Sequence, residues 1–282
     1  MARVSIVEFT DPICPWAWSA EPHRLKLIWT YGDALSWEAR MVGLAEDPEV
    51  IAKRFTPEDM ARNLAMIAAR LGMPIHEGEP ERMQASFPAC LAVVATRLHQ
   101  TESTYPLLRE LRKRCFSGEL VDEPGVIAAA ADAVGVDATA LASWAESDQT
   151  AEAFAGDRDA ARHPTDAALA LKGKLAEWEE GWRYTCPSYV LSAGDQEITA
   201  PGYQPIETYE VAIANLAPDL SRRDPAGSVE EALSWSAESG EGSLATVEVA
   251  ALRGVDLESA RAELSASGAT EIPVGSDAFW SL

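Results

Sequence analysis

Thr10-Asp11-Pro12-Ile13-Cys14-Pro15-Trp16-Ala17-Trp18 is the stretch that decides the fold of this chain. Upstream of it, Val4-Ser5-Ile6-Val7-Glu8-Phe9 is apolar and β-rich and reads as a buried strand. Thr10-Asp11-Pro12-Ile13 breaks that strand. Cys14-Pro15 follows, and the run from Trp16 to Trp29 reads as a helix, with proline in the first turn, where its missing N–H is not needed. A strand that ends in a cysteine with a helix directly behind it puts the sulfur at the positive end of the helix dipole, beside unpaired backbone N–H groups. Both effects favour thiolate over thiol and lower the pKa from about 8.5. A thiolate is the form that attacks disulfides, peroxides or electrophilic carbon. The competing reading is a buried, inert cysteine at a helix start.

Outward from this segment, Gly32-Asp33 ends the helix and Leu35–Val42 alternates as a second strand. From about Thr56 to Gly181 the pattern is helical almost throughout. Thr56-Pro57-Glu58-Asp59 offers an N-cap, a proline at the first helical position and acidic residues for the dipole. Met60, Leu64, Ile67 and Leu71 then share one face, and Gly72 closes the helix. Further helices are expected over Ala89–His99, Thr104–Cys115, Pro124–Val134, Ala138–Glu146 and Thr165–Glu180. Strand signals return at Ser188–Leu191, Gly194-Asp195 makes a turn, and Glu197–Ala200 is the hairpin partner. Pro205 opens a helix running to about Leu216.

The order is β-α-β, many helices, then β-β-α. A small sheet begun and finished around a helical block is one α/β domain with an insertion. The division expected is residues 1–221, carrying a helical insertion at about 45–183, followed by residues 222–282. That last part is a Pro-, Asp- and Arg-rich linker, then helix-turn-helix and a short hairpin, the order of a winged helix. Its recognition helix would read Asp256-Leu257-Glu258-Ser259-Ala260-Arg261-Ala262-Glu263, which lacks the cations of a DNA reader. Packing, dimerisation or partner docking is the role expected of this module.

The charge points the same way. With 45 acidic and 23 basic residues the net charge is −22, a surface that repels nucleic acid and anionic membranes and suits high salt. No apolar run reaches the roughly 18–20 residues needed to cross a bilayer, and Met1–Ser5 carries no signal-peptide pattern. The expected location is the cytoplasm. There, Cys14, Cys90, Cys115 and Cys186 are catalytic or merely buried rather than a disulfide framework. Neither a CxxC pair nor a Cys/His cluster with metal spacing occurs.

Three features together resemble the DsbA-like branch of the thioredoxin superfamily, which includes FrnE-type dithiol–disulfide isomerases, 2-hydroxychromene-2-carboxylate isomerase and kappa-class glutathione transferases. They are Asp11-Pro12-Ile13-Cys14-Pro15-Trp16 after the first strand, the helical insertion, and Tyr184-Thr185-Cys186-Pro187-Ser188-Tyr189-Val190-Leu191, which looks like a cis-proline loop. They span about the first 216 residues. The resemblance implies a thioredoxin-like fold and a redox-active Cys14. It implies a cis Pro187 whose loop offers Cys186 backbone groups to an extended substrate. Pro15, Trp16, Trp18 and Asp11 stand beside the thiol as substrate-binding candidates. The two tryptophans form an aromatic platform if exposed, with a place in the core as the competing reading of Trp18, and Asp11 shapes the turn or tunes the thiol.

One departure is decisive. Dithiol members of the branch have a second cysteine three residues after the first, and here that residue is Ala17. Cys14 then works as a monothiol oxidoreductase, as the nucleophile of a transferase or isomerase that uses a low-molecular-weight thiol as co-substrate, or not at all, the scaffold serving as a protein-binding adaptor. The residue before the cis-proline faces the active sulfur in this fold. Cys186 is therefore a candidate resolving thiol, with a small apolar wall residue as the alternative. No cofactor is expected. The partners expected are a protein thiol or disulfide or a small electrophile, and a second copy of the chain. The histidines are weaker candidates: His23 on the surface of the first helix, His163 facing the site from an insertion loop, His76 and His99 peripheral. Cys90 and Cys115 read as buried and structural.

Overall fold

The first strand, β1 (Val4–Thr10), runs parallel to β2 (Leu35–Met41), with Val4 opposite Leu35 and Thr10 opposite Met41. Its other edge pairs antiparallel with β5 (Ser188–Ala193), and β5 pairs with β6 (Gln196–Ala200), giving the order β2-β1-β5-β6. Between them in sequence lies a hairpin of β3 (Leu175–Trp178) and β4 (Gly181–Tyr184). A computed structural model describes residues 3–282. Side chains alternate faces along a strand. Val4 and Ile6 pack with Leu27 and Tyr31 of the Glu21–Tyr31 helix and with Tyr209 and Ile213 of the Ile206–Leu216 helix. Val7 and Phe9, on the opposite face, meet Tyr184, Leu175 and the cysteine loop. This is the thioredoxin-like α/β fold expected.

The helical block packs through its own core. Met41 and Ala39 of β2 join Ala89, Val93, Leu107, Leu111 and Leu141 in one cluster. The helix Pro57–Leu71 begins as its sequence dictates. Thr56 and Asp59 form a reciprocal capping box, and Gly72 closes the helix in the left-handed region. Such a cap stabilises a helix by about 1 kcal/mol.

Three expectations change. The run Trp16–Trp29 is two helices, Pro15–Trp18 and Glu21–Tyr31. Pro22 has no N–H for the Trp18 carbonyl and its ring crowds that oxygen, so the first helix stops after one turn. Thr165–Glu180 is a four-residue helix, Asp166–Leu169, followed by β3 and the turn into β4, where Gly181 takes φ 148°. Asp148–Arg162 is a helix that apolar periodicity does not reveal. Its inward face is Thr150, Phe154, Asp157 and Ala161, and two of those four are polar. Asp157 is buried because it accepts from the Met41 N–H at 2.9 Å and from Arg97 at 2.8 and 2.9 Å.

The last part of the chain runs helix Val229–Glu238, β7 (Leu244–Ala245), helices Thr246–Arg253 and Leu257–Ser267, then β8 (Thr270–Val274) and β9 (Asp277–Ser281), in sheet order β7-β9-β8. It is not a tethered appendage. Leu25 and Trp29 of the Glu21–Tyr31 helix lie in the same cluster as Leu233, Val249, Leu252 and Trp280. A buried charge network crosses the same seam: Arg24 with Glu21 and Glu241, and Arg109 with Glu21, Glu241 and Glu248, while Arg112 extends it to Glu8 and Thr10. Among the described residues no helix is long and apolar enough to cross a membrane.

Candidate active site

Cys14 is the N-cap residue of the one-turn helix Pro15–Trp18, with extended backbone angles. Asp11 fixes the loop that carries it. The Asp11 carboxylate accepts from the Ile13 N–H at 3.1 Å and the Leu44 N–H at 2.8 Å, and its backbone carbonyl accepts from the Cys14 N–H at 3.2 Å. The Cys90 thiol donates to the same carboxylate at 3.5 Å. Asp11 is fully buried, and burial raises its pKa against those hydrogen bonds. It therefore ties the end of β1 to the segment after β2. The substrate-binding role expected of it is corrected: no surface of it is left for a substrate to touch.

The Cys14 thiol donates to the carbonyl oxygen of Cys186 at 3.4 Å. The Cys186–Pro187 bond is cis. Cys14 is 6% exposed, walled by Phe9, Ala17, Val42, Leu175 and Tyr184. Its pKa is nonetheless lowered. The Cys186 thiol as hydrogen-bond donor is the largest cause, burial opposes it, and the backbone N–H groups of Ala17 and Trp16 add to the lowering. The Asp11 charge works the other way. Cys186 is pushed well up by burial and by Cys14 beside it. The pair thus ionises at Cys14, with Cys186 keeping its proton. A long helix dipole is not the cause, since the helix behind Cys14 ends within one turn; local amides and a neighbouring thiol take its place.

Of the other expected residues, Pro15 and Trp16 line a cleft beside the thiol, whose lining includes both neighbours of Cys14 but not Cys14 itself, and Trp16 meets Tyr203 edge-on at 5.9 Å. Pro187 is buried in the loop. Trp18, a substrate-binding candidate with a core role as the competing reading, is core. It is 0% exposed, stacks on Phe116 at 5.7 Å, touches Phe279 at 6.0 Å, and donates its indole N–H to the Pro74 carbonyl at 2.9 Å.

The cleft has a volume of about 750 Å³. Ile13, Pro15 and Trp16 form its motif side; Met60, Leu64 and Ile67 of the Pro57–Leu71 helix lie on its wall. Sequence reasoning saw that helix face only as core. The signal available was its surplus of methionine, with Met66 58% exposed. His76 and Cys115 also line the cleft, so His76 is not peripheral. Burial lifts the Cys115 thiol to about 12, and Gln84 donates to its sulfur at 3.4 Å. Cys90 lies well above its ordinary value through burial and the Asp11 charge. His163, expected to face the site, is exposed and bonds Asp159. His23 packs against Tyr203 and Tyr209, and His99 stacks on Trp144. Among the described residues no group of His, Cys, Asp and Glu side chains is placed to hold a metal ion.

A cysteine sulfur facing a cis-proline loop, on a β2-β1-β5-β6 sheet interrupted by helices, defines a thioredoxin-fold protein. The family model Thioredoxin_5, described as thioredoxin, matches residues 8–164, and the chain belongs to that family. Its fold is similar to the cytosolic disulfide reductase DsbM from Pseudomonas aeruginosa, with TM-score 0.54 and 17% identity over 76% of this chain and 100% of that one. It is also similar to 2-hydroxychromene-2-carboxylate isomerase, with TM-score 0.50 and 16% identity over 75% of this chain and 95% of that one. The ClpXP adapter protein SpxH of Halalkalibacterium halodurans is 23% identical over 272 residues, 93% of this chain and 81% of the relative.

Proposed function

We propose that the chain is a cytoplasmic thiol–disulfide oxidoreductase in which Cys14 is the motif's lone nucleophile and Cys186 its resolving thiol. One observation carries this reading: the Cys14 sulfur lies 3.4 Å from the Cys186 carbonyl, beside the cis-proline, while Ala17 occupies the place of a second motif cysteine. The Cys14 thiolate attacks one sulfur of a substrate disulfide. The S–S bond breaks, the leaving sulfur takes the electron pair and then a proton from solvent, and a mixed disulfide remains on Cys14. Cys186 loses its proton and attacks the Cys14 sulfur, which expels the second substrate thiolate. The substrate gains two electrons and two protons, and the Cys14–Cys186 pair gives them up. Two equivalents of a low-molecular-weight thiol reset the pair and leave as their disulfide. The high pKa of Cys186 makes resolution the slow step. The methionines of the adjoining cleft are adaptable apolar contacts, which suits a sulfur carried in an apolar polypeptide segment. Support for the compartment comes from four free thiols and from a fold neighbour described as cytosolic.

The test is the rate of iodoacetamide labelling of Cys14 against pH. A labelling midpoint below about 8.5 is expected, with disulfide reduction lost in Cys14→Ser. A midpoint at or above that value, with reduction unchanged in Cys14→Ser, removes the reading.

A second reading is favoured by one comparison. An alignment over 93% of this chain takes in most of the residues from Val229 to Leu282, which make up about a fifth of it, and the relative so aligned is an adapter. On this reading the fold is a non-catalytic protein-binding adaptor gripping its partner through the acidic C-terminal module. Partner capture then survives Cys14→Ser.

A further inference from the structure

The wall of the Cys14 cleft has a back as well as a front. Trp16, Leu64, Ile67, Ile75, Cys115 and Phe116 line the cleft and also belong to one apolar cluster. The other members of that cluster include Ala245, Val247, Val274 and Phe279, all from the C-terminal module. The two parts of the chain therefore share a single partition, with substrate space on one side and the module on the other.

The tightest point of that partition is a glycine. Gly275 turns β8 into β9 at φ 58°, and a Cβ built on it lies 1.9 Å from the Ile75 carbonyl oxygen and 2.9 Å from the Ile75 carbonyl carbon. The obstructing atoms are backbone, which cannot swing aside as the end of a side chain can. Ile75 is 2% exposed, and His76, Gly78 and Glu79 beyond it continue the cleft wall. The segment has a second anchor in the insertion, where the His76 N–H donates to the Phe116 carbonyl at 2.6 Å. A third contact lies nearby: Gly72, which ends the Pro57–Leu71 helix, has Val247 of the module against its face, at 3.3 Å from a built Cβ.

We infer that the Val274–Gly275 turn of the C-terminal module, pressing on Ile75, sets the aperture of the cleft beside Cys14 and so determines how bulky a substrate reaches Cys14 through it. The inference rests on the reading that substrates approach Cys14 through this cleft. Two substitutions on either side of the same contact push in opposite directions. Gly275→Ala forces the Ile75 backbone toward the cleft and narrows it. Val274→Ala removes two methyl groups from behind the wall and lets it yield.

The experiment uses the full chain and two alkylating reagents that share one reactive group and differ greatly in bulk, iodoacetamide and a pyrene-bearing iodoacetamide. In each the thiolate displaces iodide. The ratio of the large-reagent rate to the small-reagent rate at Cys14 is expected to fall about threefold or more in Gly275→Ala and to rise by a similar factor in Val274→Ala, with the iodoacetamide rate itself little changed. Hydrogen exchange of residues 72–84 is expected to quicken in Val274→Ala. If Gly275→Ala does not fold, Val274→Ala decides alone. A folded variant whose rate ratio and exchange both match the parent overturns the inference. If Cys14 of the parent does not react even with iodoacetamide, the oxidoreductase reading fails, and exchange of residues 72–84 then decides the inference separately.

Discussion

Arg109, in the helical block, donates to both carboxylate oxygens of Glu248, in the C-terminal module, at 2.6 and 2.7 Å, and neither side chain is more than 2% exposed. The same guanidinium donates to the Glu241 and Ser243 carbonyls at 2.8 and 3.0 Å. Removing one partner of a fully buried pair strands the other charge. Arg109→Ala is expected to lower the free energy of unfolding by about 3–5 kcal/mol, read from urea midpoints. Arg3→Ala, which breaks an exposed pair with Asp219, is the control and should leave the midpoint unmoved.

Glu21 sits among three of these guanidiniums. Burial pushes its carboxyl up, but Arg24, Arg112 and Arg109 hold it down, to about 2 from 4.5. A folded value below the unfolded one means that the stability it contributes is present above the unfolded pKa and is lost as pH falls through the folded one. Glu21→Gln should therefore reduce stability at neutral pH and flatten the loss of stability between those two values. Unfolding midpoints measured across that acid range check this.

His23 sets a second, separate window. Burial lowers its pKa from 6.5 to about 4, beside Tyr203 and Tyr209. The folded state holds it neutral, so stability is full above 6.5 and erodes as pH falls toward the folded value. His23→Phe should remove that part of the erosion and leave stability near pH 8 almost unchanged, as thermal melts at stepped pH will show.

Two substitutions at Cys186 separate its two roles. Cys186→Ala removes the donor that lowers the Cys14 pKa, so the labelling midpoint should move up toward 8.5. Cys186→Ser keeps a hydroxyl donor, so the midpoint should stay low, but resolution is lost. Both variants should accumulate the Cys14 mixed disulfide, detectable as added mass on the intact protein.

Ala17→Cys restores the two-cysteine spacing. Ala17 is 1% exposed and lies in the same cluster as Cys14, so a thiol there is held against it. The variant should form a disulfide within the motif and reduce insulin disulfides faster than the parent, which the precipitation assay measures directly.

The sheet, the cysteine loop and the cis-proline segment were legible because local patterns report them. Strands of β-branched residues, a Cys-Pro at a helix start and a Cys-Pro before a strand each need few residues. The Asp148–Arg162 helix was hidden because Thr150 and Asp157 interrupt its apolar face. Trp18 stayed open between platform and core because its burial depends on Phe279 and Pro74, neither of them near it in sequence. The cleft was invisible for a related reason: its wall joins Trp16, Leu64, Ile75 and Cys115, which only tertiary packing brings together. The low pKa of Cys14 was expected, as were the backbone N–H groups that help to lower it, but the largest cause, the Cys186 thiol, was not.

The buried charges have a consequence for ancestry. Glu8, Glu21 and Arg24 near the start of the chain, Arg109 and Arg112 in the middle, and Glu241 and Glu248 toward the end pair with one another as a single set. A gene fusion that attached a foreign tail, or a recombination that exchanged this one, would leave guanidiniums without carboxylates in a dry seam. A lineage that lost the tail would need new residues at Arg24 and Arg109, whose partners Glu241 and Glu248 the tail supplies, in order to keep the rest.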